Sequence, residues 1–227
     1  MSEKTRKMAV TPGRFITFEG GEGVGKSTQS GHLLELLREF DIDAILTREP
    51  GGSDGADQIR QLIVTGAEDR WDPLSETLLL FAARRDHVTR TIAPALKAGI
   101  WVVCDRFYDS TIAYQGCGHG IDLKFLDDLN RHVSGGLTPD LTFILDAPSS
   151  VGVSRALERG GHEDRYERLL SDFHERARKG FQRIAEDNPN RCYLIDATRS
   201  IQSTRSEISN LLVSRFSLQR INRSINS

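Results

Sequence analysis

The segment from Gly20 to Thr28 carries the clearest chemistry in the chain. It reads GGEGVGKST, and Gly20 to Ser27 fits G-x-x-x-x-G-K-[ST], the pattern of a phosphate-binding loop. Glycines let backbone N–H groups turn toward phosphate oxygens, Lys26 can reach the β- and γ-phosphates, and the Ser27 hydroxyl can ligate Mg²⁺. We therefore predict a nucleotide phosphate site made of Gly20, Gly21, Glu22, Gly23, Val24, Gly25, Lys26, Ser27 and Thr28.

The sequence on either side of this loop supplies the elements that position it. The apolar run from Phe15 to Phe18 is typical of a buried parallel strand. A helical pattern with apolar residues at Leu33, Leu37 and Phe40 starts near Lys26, and its positive end would face the same anion. Because strand, loop and helix occur in the required order, a chance glycine-rich turn is the weaker interpretation.

Two further strands are followed directly by charged residues. The strand predicted at residues 43–46 leads into TREPGG with Arg48, and the strand predicted at residues 100–104 leads into Asp105 and Arg106. Ligands bind at the carboxyl edge of open α/β sheets, where an arginine can hold a phosphate through two bonds. Asp105 matches the second acidic element that P-loop enzymes place near Mg²⁺. A solvated arginine in a turn remains the alternative for Arg48.

Two segments offer side chains for a base and a sugar. Phe107 to Gly120 is rich in hydroxyl, amide and aromatic groups, although a helix start leading into a plain loop would look similar. The helix predicted from Ser75 to Leu96, with Ser75 as its cap, carries Arg84 and Arg85 in its middle. Arg84 follows Leu80 by four residues, and Arg85 follows Phe81 by four residues, so each pair can lie on one face of the helix. Alternatively, both arginines lie on an exposed face.

The stretch from Ser149 to Arg183 is helical in propensity and strongly charged. Most of its arginines fit a solvated helix face. Arg155 and Arg159, just before Gly160-Gly161, are different, because a glycine pair can serve as the hinge of a closing lid. We predict an arginine-bearing helical lid at about residues 149–168.

Length and charge define the class of protein. With 227 residues, we expect one domain at residues 13–216 between flexible ends at 1–12 and 217–227. Strands alternating with helices predict a doubly wound parallel sheet of about five strands. The net charge of −2 argues against a general binder of nucleic acids or membranes. Three cysteines without metal-ligand spacing and no membrane-length apolar run favour a cytoplasmic protein.

Taken together, these motifs resemble bacterial thymidylate kinases, P-loop nucleoside monophosphate kinases, from Phe15 to about Phe216. The matching pieces are FEGGEGVGKST, TREPGG, DRF with DSTIAYQG, PDLTFILD and IDAT. The phosphate loop alone indicates only a nucleotide, whereas TREPGG together with DRF-x-x-ST-x-AYQG is far more specific.

The resemblance implies a reaction and roles for particular residues. ATP would donate its γ-phosphoryl group to dTMP, giving dTDP and ADP for dTTP synthesis, with Mg²⁺ bound at Ser27 and Asp105. Arg48 and Arg106 would hold the dTMP phosphate, Glu22 would face the 3′-hydroxyl, and Lys26, Asp105, Arg106, Arg155 and Arg159 would act in catalysis. The acceptor site would also contain Phe81, Arg84, Ser110, Thr111, Tyr114 and Gln115, and the enzyme would be a homodimer.

The chain departs from the family pattern at the base-reading arginine. The family sets a Phe four residues before it, but the register counted back from Pro94 selects Arg84, which follows Leu80 at that spacing. The Phe-x-x-x-Arg spacing itself selects Phe81 and Arg85. We favour Arg84, with Phe81 nearby.

Two other functions compete with this interpretation. Another nucleoside monophosphate kinase would share the loop but differ within Phe107 to Gln115. A GTPase switch would need N-K-x-D, a motif that the chain lacks. A catalytically silent homologue is disfavoured because Lys26, Ser27 and Asp105 are all present.

Overall fold

The computed structural model describes residues 12–67, 69–159, 165 and 169–219, without the side chains of Leu157 and Arg159. Several predictions fall outside the described residues: the hinge at Gly160-Gly161, most of the second half of the lid, and most of both flexible ends. Of the predicted tail, residues 217–219 are described, and Leu218 packs against the hydrophobic core.

A five-stranded parallel sheet forms the centre of the molecule, with strand order β2-β3-β1-β4-β5. Its strands are β1 Phe15–Gly20, β2 Ala44–Arg48, β3 Trp101–Asp105, β4 Leu141–Asp146 and β5 Cys192–Asp196. All six residues of β1 are buried, as expected for the central strand of a sheet covered on both faces. The predicted fold, a doubly wound sheet of P-loop kinase type, is confirmed.

Helices cover both faces of this sheet. They are α1 Lys26–Glu39, α2 Asp54–Val64, α3 Pro73–His87, α4 Ala93–Lys97, α5 Tyr108–Thr111, α6 Leu123–Ser134, α7 Ser149–Arg159, α8 Ser171–Asp187 and α9 Ile201–Phe216. Two π-helical segments, π1 Val88–Ile92 and π2 Ile112–Gly118, continue α3 and α5.

Alternation along β1 divides the core into two layers. Ile16 and Phe18 belong to the cluster that also contains apolar residues of α1 and α9. Phe15 points to the opposite face, where it packs with Ile92 and Phe107. β1 thus packs between two apolar layers, which hold in place the start of the phosphate loop that follows it.

The long helix that carries Arg84 begins earlier than predicted. Asp72 caps α3 by accepting hydrogen bonds from the N–H groups of Leu74 and Ser75 at 3.0 and 3.1 Å. The prediction of Ser75 as the cap is therefore wrong. Pro73, which has no N–H, occupies the first helical position, where none is needed.

The polar stretch after β3 is mostly helical rather than an open loop. It runs through α5 into π2, and the wider π turn often marks functional sites. Of the described residues, no helix is both long and apolar enough to cross a membrane.

Candidate active site

The phosphate loop lies between β1 and α1, with its backbone in conformations that glycine tolerates best. Gly20, Gly23 and Gly25 have φ values of 125°, 62° and 95°. A Cβ atom on Gly23 would lie 1.9 Å from the carbonyl oxygen of Gly152, so no larger residue fits there. The first turn of α1 has neither a side-chain cap nor an acidic residue, which leaves its N–H groups available to an anion.

Lys26, Ser27 and Asp105 meet beside this loop. The Lys26 ammonium donates to the carbonyl oxygen of Gly21 at 2.5 Å, and the Ser27 hydroxyl donates to Asp105 Oδ2 at 2.5 Å. Burial, reinforced by the charge of Arg106, lowers the pKa of Lys26 to about 8. The nearby carboxylates Glu22 and Asp105 offset this effect only in part, so a bound polyphosphate would stabilise the charged ammonium further.

Arg106 is the centre of a second group on the other side of the loop. Its backbone has a φ of 72°, and its guanidinium donates to the carbonyl oxygen of Gly20 at 2.9 Å and to Ser110 Oγ at 3.1 Å. It also donates to Glu22 Oε1 at 2.7 Å and lies over the Tyr114 ring at 5.0 Å. The Tyr114 hydroxyl donates to the same Glu22 oxygen at 2.9 Å.

These contacts control the charge of Glu22. Burial alone would raise its pKa, but the charges of Arg106 and Lys26 outweigh that effect and lower the pKa of Glu22 to about 2. Burial raises the pKa of the Tyr114 hydroxyl, so that group stays neutral. The Glu22 carboxylate of the loop, the Arg106 guanidinium and the Tyr114 phenol are thus held together at one edge of the sheet.

Arg84 is buried on α3, in a group of side chains separate from the phosphate loop. Its Nε donates to Glu49 Oε2 at 2.7 Å, and its Nη2 donates to the carbonyl oxygen of Phe107 at 3.1 Å and to Thr111 Oγ1 at 2.9 Å. Its guanidinium also lies over the Phe81 ring at 5.2 Å. The Arg84 side chain is only 3% exposed, and its Nη1 has no hydrogen-bond partner among the described residues.

A buried N–H group without a partner costs free energy unless a ligand satisfies it. Arg85, by contrast, donates to the carbonyl oxygen of Val133 from an exposed position. Aromatic rings and an unpaired N–H donor can together bind a flat base. They are found at Arg84 and not at Arg85.

Not every predicted acceptor residue lies in these two groups. Arg48 pairs in register with Asp105 at the sheet edge, and its exposed side chain makes no hydrogen bond or ion pair with any described residue. Gln115 is buried, and its amide donates to Glu76 Oε1 at 3.1 Å.

Several known proteins resemble this chain over most of its length. A family model described as thymidylate kinase matches residues 18–208. The thymidylate kinase of Caulobacter vibrioides is 50% identical over 209 residues, 92% of this chain and 100% of the relative. That of Magnetococcus marinus is 45% identical over 204 residues, 90% of this chain and 97% of the relative.

The crystal structure of thymidylate kinase from Ehrlichia chaffeensis superposes with a TM-score of 0.73 at 38% identity, covering 88% of this chain and 100% of that one. The chain belongs to the thymidylate kinase family. α5 lies between the two groups of side chains, because its Ser110 accepts from Arg106 and its Thr111 accepts from Arg84.

The donor set fits the magnesium that a thymidylate kinase would need. Among the described residues, no three His, Cys, Asp or Glu side chains converge as a metal cage. Ser27 and Asp105 instead offer a hydroxyl and a carboxylate side by side. Mg²⁺ is commonly held by one or two such oxygens, completed by water and substrate phosphates.

The two predicted lid arginines lie on α7. Arg155 is exposed and donates to the carbonyl oxygen of Ala197 at 3.4 Å, a long contact. Arg159 is the last residue of α7, and its side chain lies outside the described residues.

Sequence reasoning missed three buried carboxylates of this candidate site. Glu19 accepts from the Phe107 N–H at 2.8 Å and from Ser110 Oγ at 2.5 Å, and burial followed by the charge of Asp109 raises the pKa of Glu19. Glu49 binds Arg84, and Glu76 binds Gln115. Glu19 and Glu49 lie at the carboxyl ends of β1 and β2, a position that could have drawn attention to them.

Proposed function

We propose that the protein transfers the γ-phosphoryl group of ATP to the phosphate of dTMP, giving ADP and dTDP for dTTP synthesis. The observation that carries this proposal is the buried Arg84 guanidinium, which keeps Nη1 unpaired beside aromatic rings. Thymine offers a carbonyl oxygen to such a donor, whereas cytosine has an amino group there, which a donor-only guanidinium cannot bind.

The donor nucleotide would lie along the phosphate loop. The backbone N–H groups of the loop and the uncapped end of α1 would bind its phosphates, and Lys26 would neutralise charge on the transferring group. Ser27 and Asp105 would hold Mg²⁺, which neutralises negative charge on the phosphates when bound.

The acceptor phosphate would be held by Arg106, with Arg48 from the neighbouring strand. Arg106 is already fixed by Glu22 and Gly20, so little ordering is required when the anion binds. The second pKa of a phosphate monoester is about 6, so the acceptor is an anionic nucleophile at neutral pH and no general base is needed.

The acceptor sugar would lie against Glu22 and Tyr114, whose side chains are hydrogen-bonded to each other. Glu22 would accept from the 3′-hydroxyl, and the Tyr114 ring would crowd the place of a ribose 2′-hydroxyl. Tyr114 is packed edge-on against Phe181, with ring centroids 5.8 Å apart, which supports a rigid wall at this position. Ser110, Thr111 and Gln115 complete the proposed acceptor site, with Thr111 already bound to Arg84.

Arg155 and Arg159 would add positive charge to the transferring group when the nucleotide is bound. The loop holds no basic residue except Lys26, so a further cation must come from another segment. Residues four apart on a helix share a face, and both arginines lie on α7.

The homodimer and the cytoplasmic location stay predictions. One observation supports an interface: Leu74 and Leu78 share a face of α3 and are 48% and 49% exposed. Sedimentation analysis of the wild type and Leu78→Glu would test whether that face joins two copies.

A substrate panel tests the proposed function. ADP release should be measured with ATP and, in turn, dTMP, dUMP, UMP, dCMP, dGMP and AMP. We expect dTMP to give the highest kcat/KM. A higher value with dGMP or AMP would indicate another nucleoside monophosphate kinase.

A further inference from the structure

A chain of buried polar side chains runs behind Arg84, on the side away from its free Nη1. Glu49 uses one carboxylate oxygen, Oε2, for Arg84 and the other, Oε1, for His87 Nδ1 at 3.1 Å. His87 Nε2 contacts Thr47 Oγ1 at 2.7 Å. A neutral imidazole satisfies both contacts when Nδ1–H donates to Glu49 and Nε2 accepts the hydroxyl proton of Thr47.

This chain is closed off from water. Arg84, Glu49 and His87 are 3%, 5% and 0% exposed. In such surroundings each hydrogen bond is electrostatically stronger than in water, and an unpaired member of the chain is costly. The three side chains are therefore held in one arrangement.

The backbone around the chain is fixed as well. The Glu49 N–H donates to the carbonyl oxygen of Asp105 at 2.9 Å. Thr91 of π1 donates to the carbonyl oxygen of Gly52 at 2.7 Å. A Cβ atom on Gly52 would lie 2.4 Å from His87 Nε2, so this glycine lets the loop close over the imidazole ring.

The arrangement determines which Arg84 donor is left for a ligand. Nε is directed to Glu49, and Nη2 is divided between Phe107 and Thr111. If Glu49 moved or lost its charge, the guanidinium could rotate about its last side-chain bond, and Nη1 would lose its fixed direction.

We propose that Glu49 and His87 are positioning residues that orient Arg84 and thereby set the selection of a pyrimidine with a carbonyl acceptor over one with an amino group. The inference rests on the proposed function, because it concerns how the acceptor base of that reaction is chosen. Neither residue touches the base: Glu49 acts through Arg84, and His87 acts through Glu49.

The test compares kcat/KM for dTMP and dCMP in wild type, Glu49→Gln, His87→Leu and His87→Asn. Glutamine keeps the shape of Glu49 without its charge, and we expect the dTMP/dCMP ratio to fall about 5- to 10-fold with the KM for ATP unchanged. His87→Leu removes the donor to Glu49 and should lower the ratio in the same direction. Asparagine can place an N–H near the position of Nδ1, so His87→Asn should recover most of the ratio.

Asp109→Asn is the matched control. Asp109 is buried and forms two bonds to Arg191, at 2.7 and 2.8 Å, outside the chain behind Arg84. We expect this variant to lower Tm while the dTMP/dCMP ratio stays at the wild-type value.

Three outcomes decide the matter. A lower ratio in Glu49→Gln and His87→Leu, recovered in His87→Asn, supports the inference. Wild-type ratios in folded Glu49→Gln, with only Tm reduced, overturn it while the proposed function stands. A wild type that does not phosphorylate dTMP overturns both. Because Glu49→Gln is isosteric, it decides the outcome even if His87→Leu does not fold.

Discussion

The proposed acceptor side and the proposed donor side of the site are built differently. On the acceptor side, Arg84 and Arg106 are 3% and 15% exposed, and each is bound to a carboxylate at 2.7 Å. On the donor side, Ser27 is exposed, and Arg155 reaches only a carbonyl oxygen at 3.4 Å. The groups around Arg84 and Arg106 are thus held before any substrate binds, whereas on the donor side Ser27 and Arg155 lie exposed and Lys26 is buried.

The difference separates two tasks. Recognition of a base benefits from groups that need no ordering, because each side chain immobilised on binding costs about 0.5–1.5 kcal/mol. Neutralising charge on a transferring phosphoryl group is useful mainly in the transition state, so the arginines that we propose on α7 need to act only once the nucleotide is bound. Variants on the two sides should accordingly change different kinetic constants.

Lys26→Ala tests the donor side most severely. We expect kcat to fall by about 10³-fold or more, because the substitution removes a charge aimed at the transferring group. The Tm should not fall, since burying this ammonium is unfavourable, as its lowered pKa of about 8 indicates. Rapid-quench kinetics and calorimetry measure both quantities. Activity within about tenfold of wild type would show that the loop is wrongly identified.

Arg155→Ala combined with Arg159→Ala should have the next largest effect. We expect kcat to fall by about 10³-fold or less, with the KM for dTMP nearly unchanged, as for a contact made in the transition state. The single variants should lose less, because each arginine can partly replace the other. If the double variant keeps more than about half of wild-type kcat with saturating ATP, the arginines form only a solvated helix face.

Arg84→Ala, with Arg85→Ala as its matched neighbour, tests the acceptor side. Loss of a charged hydrogen bond costs about 1.5–3 kcal/mol, so the KM for dTMP should rise roughly 10- to 150-fold in Arg84→Ala. The KM for ATP should stay constant in both variants. The reverse result, an effect in Arg85→Ala alone, would select the Phe-x-x-x-Arg spacing over the register that we favour.

Tyr114 variants test how the sugar is selected. Tyr114→Ala opens the 2′ position and should narrow the preference for dTMP over its ribose counterpart by about tenfold. Tyr114→Phe keeps the ring but loses the hydrogen bond to Glu22, so it should retain the preference if the effect is steric. Equal kcat/KM ratios in wild type and Tyr114→Ala would remove this residue from the acceptor site.

Glu22→Gln tests the pairing with Arg106 through the stability of the protein. Because the pKa of Glu22 falls from 4.5 to about 2 on folding, its carboxylate stabilises the folded state above pH 4.5, and this contribution is lost as the pH falls toward 2. The difference in unfolding free energy between wild type and variant should therefore shrink on acidification. Urea titrations at a series of pH values measure it, and a constant difference would contradict the proposed pairing with Arg106.

Local sequence was enough for the parts of the protein that depend on neighbouring residues. The phosphate loop needs only glycines, Lys26 and Ser27 in fixed order, and the sheet follows from alternating apolar runs and helical patterns. The prediction of Ser75 as the cap of α3 failed at the same local level, although Asp72 followed by Pro73 is itself a typical helix start.

The choice between Arg84 and Arg85 shows what the sequence alone does not determine, namely which of the two side chains is buried. Register along the helix favoured Arg84, but neighbouring residues on a helix point about 100° apart, and only the packing of α3 shows which side chain is buried. Sequence also gave no sign that Glu49, 35 residues away, would bind Arg84, or that Gln115 would bind Glu76, 39 residues away. These pairs exist because the fold brings strand ends and helices to one edge of the sheet and excludes water from them, and only there does each buried charge require a particular partner.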